Sequence, residues 1–101
     1  MLEDVFVTGF RRQVEVHDAR GFVGRVDLVH ERKMLILEID SDLHHTSIND
    51  VRADAARQRR LEALGYTVVR MNKYEMWHRP DRMIERVRAG LREAKLFPAA
   101  V

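Results

Sequence analysis

The stretch that decides the fold is Met34-Leu35-Ile36-Leu37-Glu38-Ile39-Asp40, which is apolar at every position except two acids near its end. A continuous apolar run of this length is typical of a central strand that is covered on both faces. Side chains alternate along a strand, so Glu38 and Asp40 are expected on one face and the intervening leucine and isoleucine residues on the other. Two carboxylates therefore converge at the end of a buried strand.

The residues before this stretch have the pattern of a β-hairpin. Valines alternate with polar residues from Phe10 to His17, turn-forming residues occupy Asp18 to Gly21, and Phe22 to Val29 is again rich in β-forming residues. Asp27 lies in the second of these strands. Pairing of that strand with the central one would bring Asp27 beside the two acids.

The residues after the central strand predict a helix followed by a strand. A helical stripe starts at Asn49 or Asp50, with Asn49 as the cap, and ends at Gly65. Tyr66 to Met71 then has the composition of a buried strand. The residues expected on the stripe are Val51, Ala55, Gln58, Leu61 and Leu64.

These elements define an α/β fold with the order β-β-β-α-β-α. A strand, a helix and a strand form a βαβ crossover, so the last two strands are parallel and the four-stranded sheet is mixed. Pro80 suits the first turn of a final helix, and Phe97 to Val101 is expected to be a loose tail.

Length and composition favour a single domain that spans residues 1–101, because two pieces of a 101-residue chain would be too small to bury useful cores. The chain contains no cysteine, which excludes disulfides and thiolate zinc sites. It shows no signal peptide and no apolar run long enough for a bilayer. We therefore expect a soluble, cytoplasmic protein that does not enter the membrane.

The charged residues are distributed unevenly along the chain. Of its 18 basic residues 15 are arginines, many of them after residue 50, whereas acids gather in the middle, and the net charge is only +2. An acidic metal centre flanked by basic surface is what a nuclease requires. The alternative is that the arginines reflect only the base composition of the genome.

Asp27, Glu38 and Asp40 are the candidate metal ligands. Burying three like charges is costly unless a cation neutralises them, and carboxylate oxygens prefer a hard divalent ion such as Mg²⁺ or Mn²⁺. An isolated aspartate in a hairpin is more often solvated or a turn cap. Two acids in a strand that would otherwise continue as core are harder to explain without a function.

Four further residues near these acids have suitable chemistry. His44 and His45 follow in a short loop, where an imidazole could assist proton transfer, although histidine pairs are more often surface polar residues. Asp54 and Arg57, one turn apart on the next helix, could supply a supporting acid and a phosphate contact.

Basic and aromatic residues suggest how a nucleic acid would be held. Tyr74 and Trp77 could stack on a nucleotide, although an aromatic residue between a strand and a helix is more often a lid on the core. For Arg59 and Arg60 an ordinary solvated helix face is the alternative. The candidate phosphate contacts are Arg57, Arg59, Arg60, Arg70 and Lys73.

The spacing of the acids resembles a known nuclease pattern. Asp27, ten intervening residues and then Glu38-Ile39-Asp40 are similar to the Asp and (Asp/Glu)-x-Lys arrangement of PD-(D/E)XK nucleases, with Asp40 in the lysine position. Together with His44-His45, Asp54-x-x-Arg57 and Gly65-Tyr-Thr-Val-Val-Arg70, the pattern resembles the endonuclease-domain family related to very-short-patch mismatch repair endonucleases. The resemblance covers residues 25 to 91.

This resemblance implies roles for individual residues. Asp27 would be the principal metal ligand, Asp40 would stand beside the metal, and His45 would be the catalytic histidine. Asp54 matches the helix aspartate of the relatives. Ser41 departs from their usual glycine after the strand.

A larger departure concerns the amino terminus. Relatives carry an amino-terminal helix with a glutamate that reaches the active site, and this chain starts too close to its first strand to contain one. Glu3 is a poor substitute. Three explanations stay open: the chain is cut from a longer protein with additional domains, a partner chain such as a second copy supplies the helix, or part of the catalytic equipment is lost.

The sequence therefore predicts a Mg²⁺-dependent endodeoxyribonuclease that hydrolyses phosphodiester bonds in DNA, and it leaves open whether this chain is active alone. One alternative is a non-catalytic nucleic-acid-binding or dimerising domain that keeps the nuclease fold. In a purely structural domain the acids would instead be paired with arginines and no metal would bind.

Overall fold

The computed structural model describes residues 9–40 and 47–98. Within them lie four strands and three helices. In chain order these are β1 (Phe10–Asp18), β2 (Gly21–His30), β3 (Leu35–Asp40), α1 (Ile48–Ala63), β4 (Thr67–Asn72), α2 (Lys73–His78) and α3 (Pro80–Glu93).

The strands form one mixed sheet in the order β1-β2-β3-β4. The pairs β1-β2 and β2-β3 are antiparallel, and β3-β4 is parallel. The predicted α/β class, the hairpin and the parallel crossover are thus confirmed. This architecture is compatible with a restriction-endonuclease-like fold.

The short helix α2 is an element that the sequence analysis missed, so the observed order is β-β-β-α-β-α-α. It has only six residues and none of its side chains is fully buried, which leaves no apolar period to detect. Its start is fixed by Asn72, whose side chain accepts a hydrogen bond from the Glu75 N–H at 2.7 Å.

Both faces of β3 are buried, as its continuous apolar run predicts. Leu35 and Leu37 pack with Met83 and Val87 of α3 in one core. On the opposite face Ile36 belongs to a second core, which includes Leu61 of α1 and valines of the hairpin. Glu38 and Asp40 follow Ile36 in alternation and face α1, which confirms the predicted division of faces.

Helix α1 begins earlier than the predicted cap. Ser47 is the N-cap, and its hydroxyl accepts a hydrogen bond from the Asp50 N–H at 3.0 Å, so the assignment of Asn49 as the cap is wrong. Serine and asparagine cap equally well, and the sequence offered both within two residues. The predicted stop is confirmed, because Gly65 follows the helix with a φ of +106°.

The face that α1 turns to the sheet is more polar than predicted. Val51 is 53% exposed, and Ala55 is also exposed. Instead Arg57 and Leu61 face the sheet, one turn apart, and the arginine contacts an acid there. The stripe of apolar residues was therefore misplaced in the first half of the helix, and the middle of the helix is held by the ion pairs of Asp54 with Arg70 and of Arg57 with Glu38.

The carboxyl-terminal segment is anchored as far as the structure describes it. The Phe97 N–H donates to the Arg32 carbonyl oxygen at 2.9 Å, and the Phe97 ring meets Tyr66 at a centroid distance of 6.0 Å. The expected loose tail is thus wrong for Phe97, whereas residues 99–101 lie outside the described residues. Among the described helices, none combines the length and apolarity needed to cross a membrane.

Candidate active site

Asp27 and Glu38 lie together where the β2-β3 ladder ends. The last paired residues are Leu28 and Leu37, so the two acids are the next residues on each strand. The Ile39 N–H donates to Asp27 Oδ2 at 2.8 Å, and the Asp27 N–H lies 3.4 Å from Glu38 Oε2, which accepts it. Carboxylate oxygens thus accept the N–H hydrogen bonds that backbone carbonyl oxygens accept elsewhere in the sheet. These bonds fix both carboxylates between β2 and β3.

Glu38 is a buried acid that is paired with Arg57. It is 7% exposed, and its Oε1 accepts from Arg57 Nη1 at 2.5 Å. Burial raises the pKa of Glu38 above its usual value, while the hydrogen bond from Arg57 lowers it and the nearby charge of Asp27 raises it further. Arg57 therefore offsets only part of the cost of burying this carboxylate.

The Arg57 guanidinium occupies a position prepared by β2. Its Nη2 also donates to the Arg25 carbonyl oxygen at 3.0 Å. A side chain at Gly24 would collide with the Arg57 guanidinium. Glycine at this position thus lets the guanidinium lie against the strand and reach Glu38.

Asp40 has a different partner, Arg70 of β4. Arg70 Nε and Nη2 donate to the two Asp40 oxygens at 3.0 and 2.8 Å. Arg70 Nη1 donates to Asp54 Oδ2 at 2.6 Å and to Gln58 Oε1 at 3.1 Å. These bonds raise the pKa of Arg70, so it stays charged and links β3, α1 and β4.

The structure brings together two of the three predicted metal ligands. Asp27 and Glu38 are adjacent, while Asp40 lies further along β3 and pairs with Arg70. Within residues 9–40 and 47–98 no group of three or more histidine, cysteine or acidic side chains is arranged to hold a metal. The assignment of Asp27, Glu38 and Asp40 as metal ligands stays a prediction. Ser41, His44, His45 and Glu3 lie outside the described residues.

Gln13 is a site residue that sequence reasoning missed. It lies in β1 between the pairs Arg12-Leu28 and Val14-Val26, which places it opposite Asp27. Its Nε2 lies 3.5 Å from Asp27 Oδ1, and its φ of +53° is left-handed, which is uncommon for a residue other than glycine. Counting back from the turn would have paired Gln13 with Val26, because the register shifts by one residue between Val16 and His17, so the sequence carried no direct signal for this contact.

The predicted phosphate contacts fall into two groups. Arg57, Arg60 and Arg70 are engaged with acids, and Arg60 donates to both Asp18 oxygens at 2.8 and 2.7 Å. Arg59 and Lys73, in contrast, are exposed. Their contact with phosphate stays a prediction.

The aromatic residues of α2 do not cover the core. Trp77 is 82% exposed and Tyr74 is 60% exposed. Met76 is the α2 residue that packs against the core, and this rotation of the helix turns the two rings outward. The interpretation of these rings as a core lid is therefore wrong.

Fold and site together define a small α/β domain with paired acids at the end of its central strand, as in nuclease-like domains. The family model REase_MTES_1575, of a restriction endonuclease family, matches residues 4–91, and the chain belongs to this family. No curated protein and no solved structure matches the chain. The relationship to very-short-patch repair endonucleases is not confirmed and stays a prediction.

Proposed function

We propose that this protein is a metal-dependent DNA endonuclease that hydrolyses phosphodiester bonds. The observation that carries the proposal is the contact between Asp27 and Glu38 at the end of the central sheet, in a chain that belongs to a restriction endonuclease family. A buried glutamate beside a half-buried aspartate has few roles that do not involve a cation.

The residues present fit a hard divalent cation. Asp27 with Glu38 or Asp40 would hold Mg²⁺ or Mn²⁺, because these ions prefer carboxylate oxygens and because the charge of Glu38 is costly where it is buried. When bound, such an ion polarises a phosphate and lowers the pKa of a water molecule.

The remaining residues have distinct proposed roles. Arg57 positions Glu38, and Arg70 holds Asp40 and Asp54 in fixed orientations. His45, two residues before the helix cap Ser47 in sequence, assists proton transfer. Phosphates are contacted by exposed cations, for which Arg59 and Lys73 are the leading candidates.

Cleavage of supercoiled plasmid tests the proposal. We expect nicking with Mg²⁺ or Mn²⁺, none with EDTA, and a loss of at least about 100-fold in Asp27→Ala and His45→Ala, in line with the loss of a general acid-base or metal-ligand function. Asp81→Asn, a change of an exposed acid on α3, is the matched control and keeps full activity. Absence of nicking by a folded wild-type chain would contradict the proposal.

A second candidate is a nucleic-acid-binding or dimerising domain that keeps the fold and does not cut. It is favoured by the ion pairs of Glu38 with Arg57 and of Asp40 with Arg70, which neutralise both acids without a metal. Such a domain would bind DNA equally well with EDTA and would show no metal-dependent nicking. A cytoplasmic location is proposed for either function.

A further inference from the structure

Helix α2, which directly follows β4, presents an exposed aromatic and basic surface. Trp77 is 82% exposed, and an indole left so open to water is unusual for a residue without an interaction partner. The Tyr74 ring contacts His78 in a tilted arrangement, with a centroid distance of 4.2 Å and an interplanar angle of 36°, and this contact orients the second ring.

The charges around these rings suit a polyanion. Lys73, Arg79 and Arg82 are exposed on α2 and the first turn of α3. Glu75, the acid within α2, lies 3.6 Å from Arg86, which offsets its charge. Asp81 and Glu85 are exposed acids of α3, and Glu85 lies 3.5 Å from Arg92. Aromatic rings interleaved with cations are the usual means of holding an unpaired nucleic-acid strand, because each base has a face that can stack.

This surface lies at the end of the sheet where β3 ends, but on the α3 side, whereas the side chains of Glu38 and Asp40 face α1. A nucleic-acid strand that contacts both must therefore pass round this end of the sheet. Asn72, the cap of α2, pairs with Asp40 in the parallel register of β3 and β4. A helix rises about 1.5 Å per residue and adjacent strands lie about 4.8 Å apart, which brings the Trp77 backbone to within roughly 15 Å of Asp40. Duplex DNA rises about 3.4 Å per nucleotide, so an unpaired strand, which can be more extended, covers this distance in about four nucleotides or fewer.

We propose that Tyr74 and Trp77 form a stacking surface for the bases of an unpaired DNA strand that enters the candidate site. This inference rests on the proposed nuclease function and deepens it, because it names the form of DNA that the site holds. The cations of α2 and α3 contact the phosphates of the same strand, and the rings exclude a fully stacked duplex from this position.

Trp77 is the single tryptophan of the chain, so its fluorescence reports directly on the surface. The purified protein is titrated in EDTA with a single-stranded 12-nucleotide DNA of mixed sequence and, separately, with the corresponding duplex. We expect saturable quenching of Trp77 by the single strand and clearly weaker quenching by the duplex. Because no metal is present, failure of plasmid nicking leaves this result unaffected.

Variants are compared by fluorescence anisotropy of the labelled single strand. Trp77→Ala is expected to weaken binding on the order of 5- to 100-fold, and Trp77→Phe, which keeps a ring, considerably less. The matched control is Leu96→Ala, since Leu96 is 67% exposed and is bridged to Lys33, at the opposite end of β3 from Asp40. The affinity of Leu96→Ala for the single strand is expected to stay within about twofold of the wild type, because Leu96 lies outside the stacking surface.

Three results would overturn the inference. The first is equal binding by Trp77→Ala and Leu96→Ala, or no binding of the single strand at all. The second is equal quenching of Trp77 by the single strand and by the duplex, which would mean that the surface does not recognise unpaired bases. The third is a change of Trp77 emission with protein concentration alone, which would mean that a second copy of the chain covers the ring.

Discussion

At the scale of single residues, the site depends on how Glu38 is kept charged. Burial raises the pKa of this acid, and the hydrogen bond from Arg57 opposes that effect. The sequence could predict that Glu38 and Asp40 share a face, because alternation along a strand is local. It could not predict which arginine meets which acid, because those partners come from other elements and depend on how α1 and β4 pack on β3.

Arg57→Gln should therefore destabilise the protein in a pH-dependent way. Without Arg57 the pKa of folded Glu38 rises further above its usual value, because burial is then unopposed, so that the charged form becomes more costly as the pH rises. A raised acid pKa means that stability falls as pH rises through the window between the unfolded and folded values. We expect a loss of about 2 kcal/mol at pH 8 and a smaller loss at pH 5, measured by urea unfolding.

The control for this comparison is Arg59→Gln, which removes the same charge from an exposed position on the same helix. Its effect should be within about 0.5 kcal/mol at both pH values. An equal loss at pH 5 and pH 8 for Arg57→Gln would mean that Arg57 contributes packing alone and does not control the ionisation of Glu38.

At the scale of elements, the second half of α1 is attached to the sheet by arginines and a buried leucine. Arg57 reaches β3, and Arg60 reaches Asp18 at the end of β1, while Leu61 supplies the buried apolar contact. The predicted start and end of the helix were close to the observed ones, because capping depends on residues that are neighbours in the sequence. Its inner face was misjudged because periodicity alone treats a buried arginine as a surface residue.

Arg60→Gln should release Asp18 and loosen the hairpin from α1. The hydrogen bond from Arg60 is the main reason that the pKa of Asp18 is lowered to about 2. In the variant this pKa should rise toward 3.8, measured by carboxyl NMR titration. A lowered acid pKa gives stability that is present above 3.8 and is lost as pH falls toward 2, so the two proteins should converge in stability at low pH.

Arg59→Gln again serves as the control and should leave the Asp18 titration unchanged, because Arg59 is an exposed neighbour in the same helix. If the Asp18 pKa stayed near 2 in Arg60→Gln, the ion pair would not be the link between helix and hairpin, and the backbone N–H of Arg20 would be left as the cause.

At the scale of the whole molecule, the sheet separates two cores and leaves its acids where β2, β3 and α1 meet. The architecture was predictable because β3 is apolar on both faces and the chain has room for one helix on each side. The short helix α2 and the outward rings of Tyr74 and Trp77 were not predictable, because the direction of a six-residue helix is set by what packs beneath it.

The central claim is that Asp27 and Glu38 form a site for a divalent cation even though Arg57 neutralises Glu38 in the absence of metal. Calorimetric titration of Mn²⁺ into the wild type, Asp27→Asn and Asp81→Asn tests it most directly. We predict uptake at one site in the wild type and in Asp81→Asn, and binding at least about 10-fold weaker in Asp27→Asn. Equal affinity in all three proteins, or no uptake by the folded wild type, would contradict the claim.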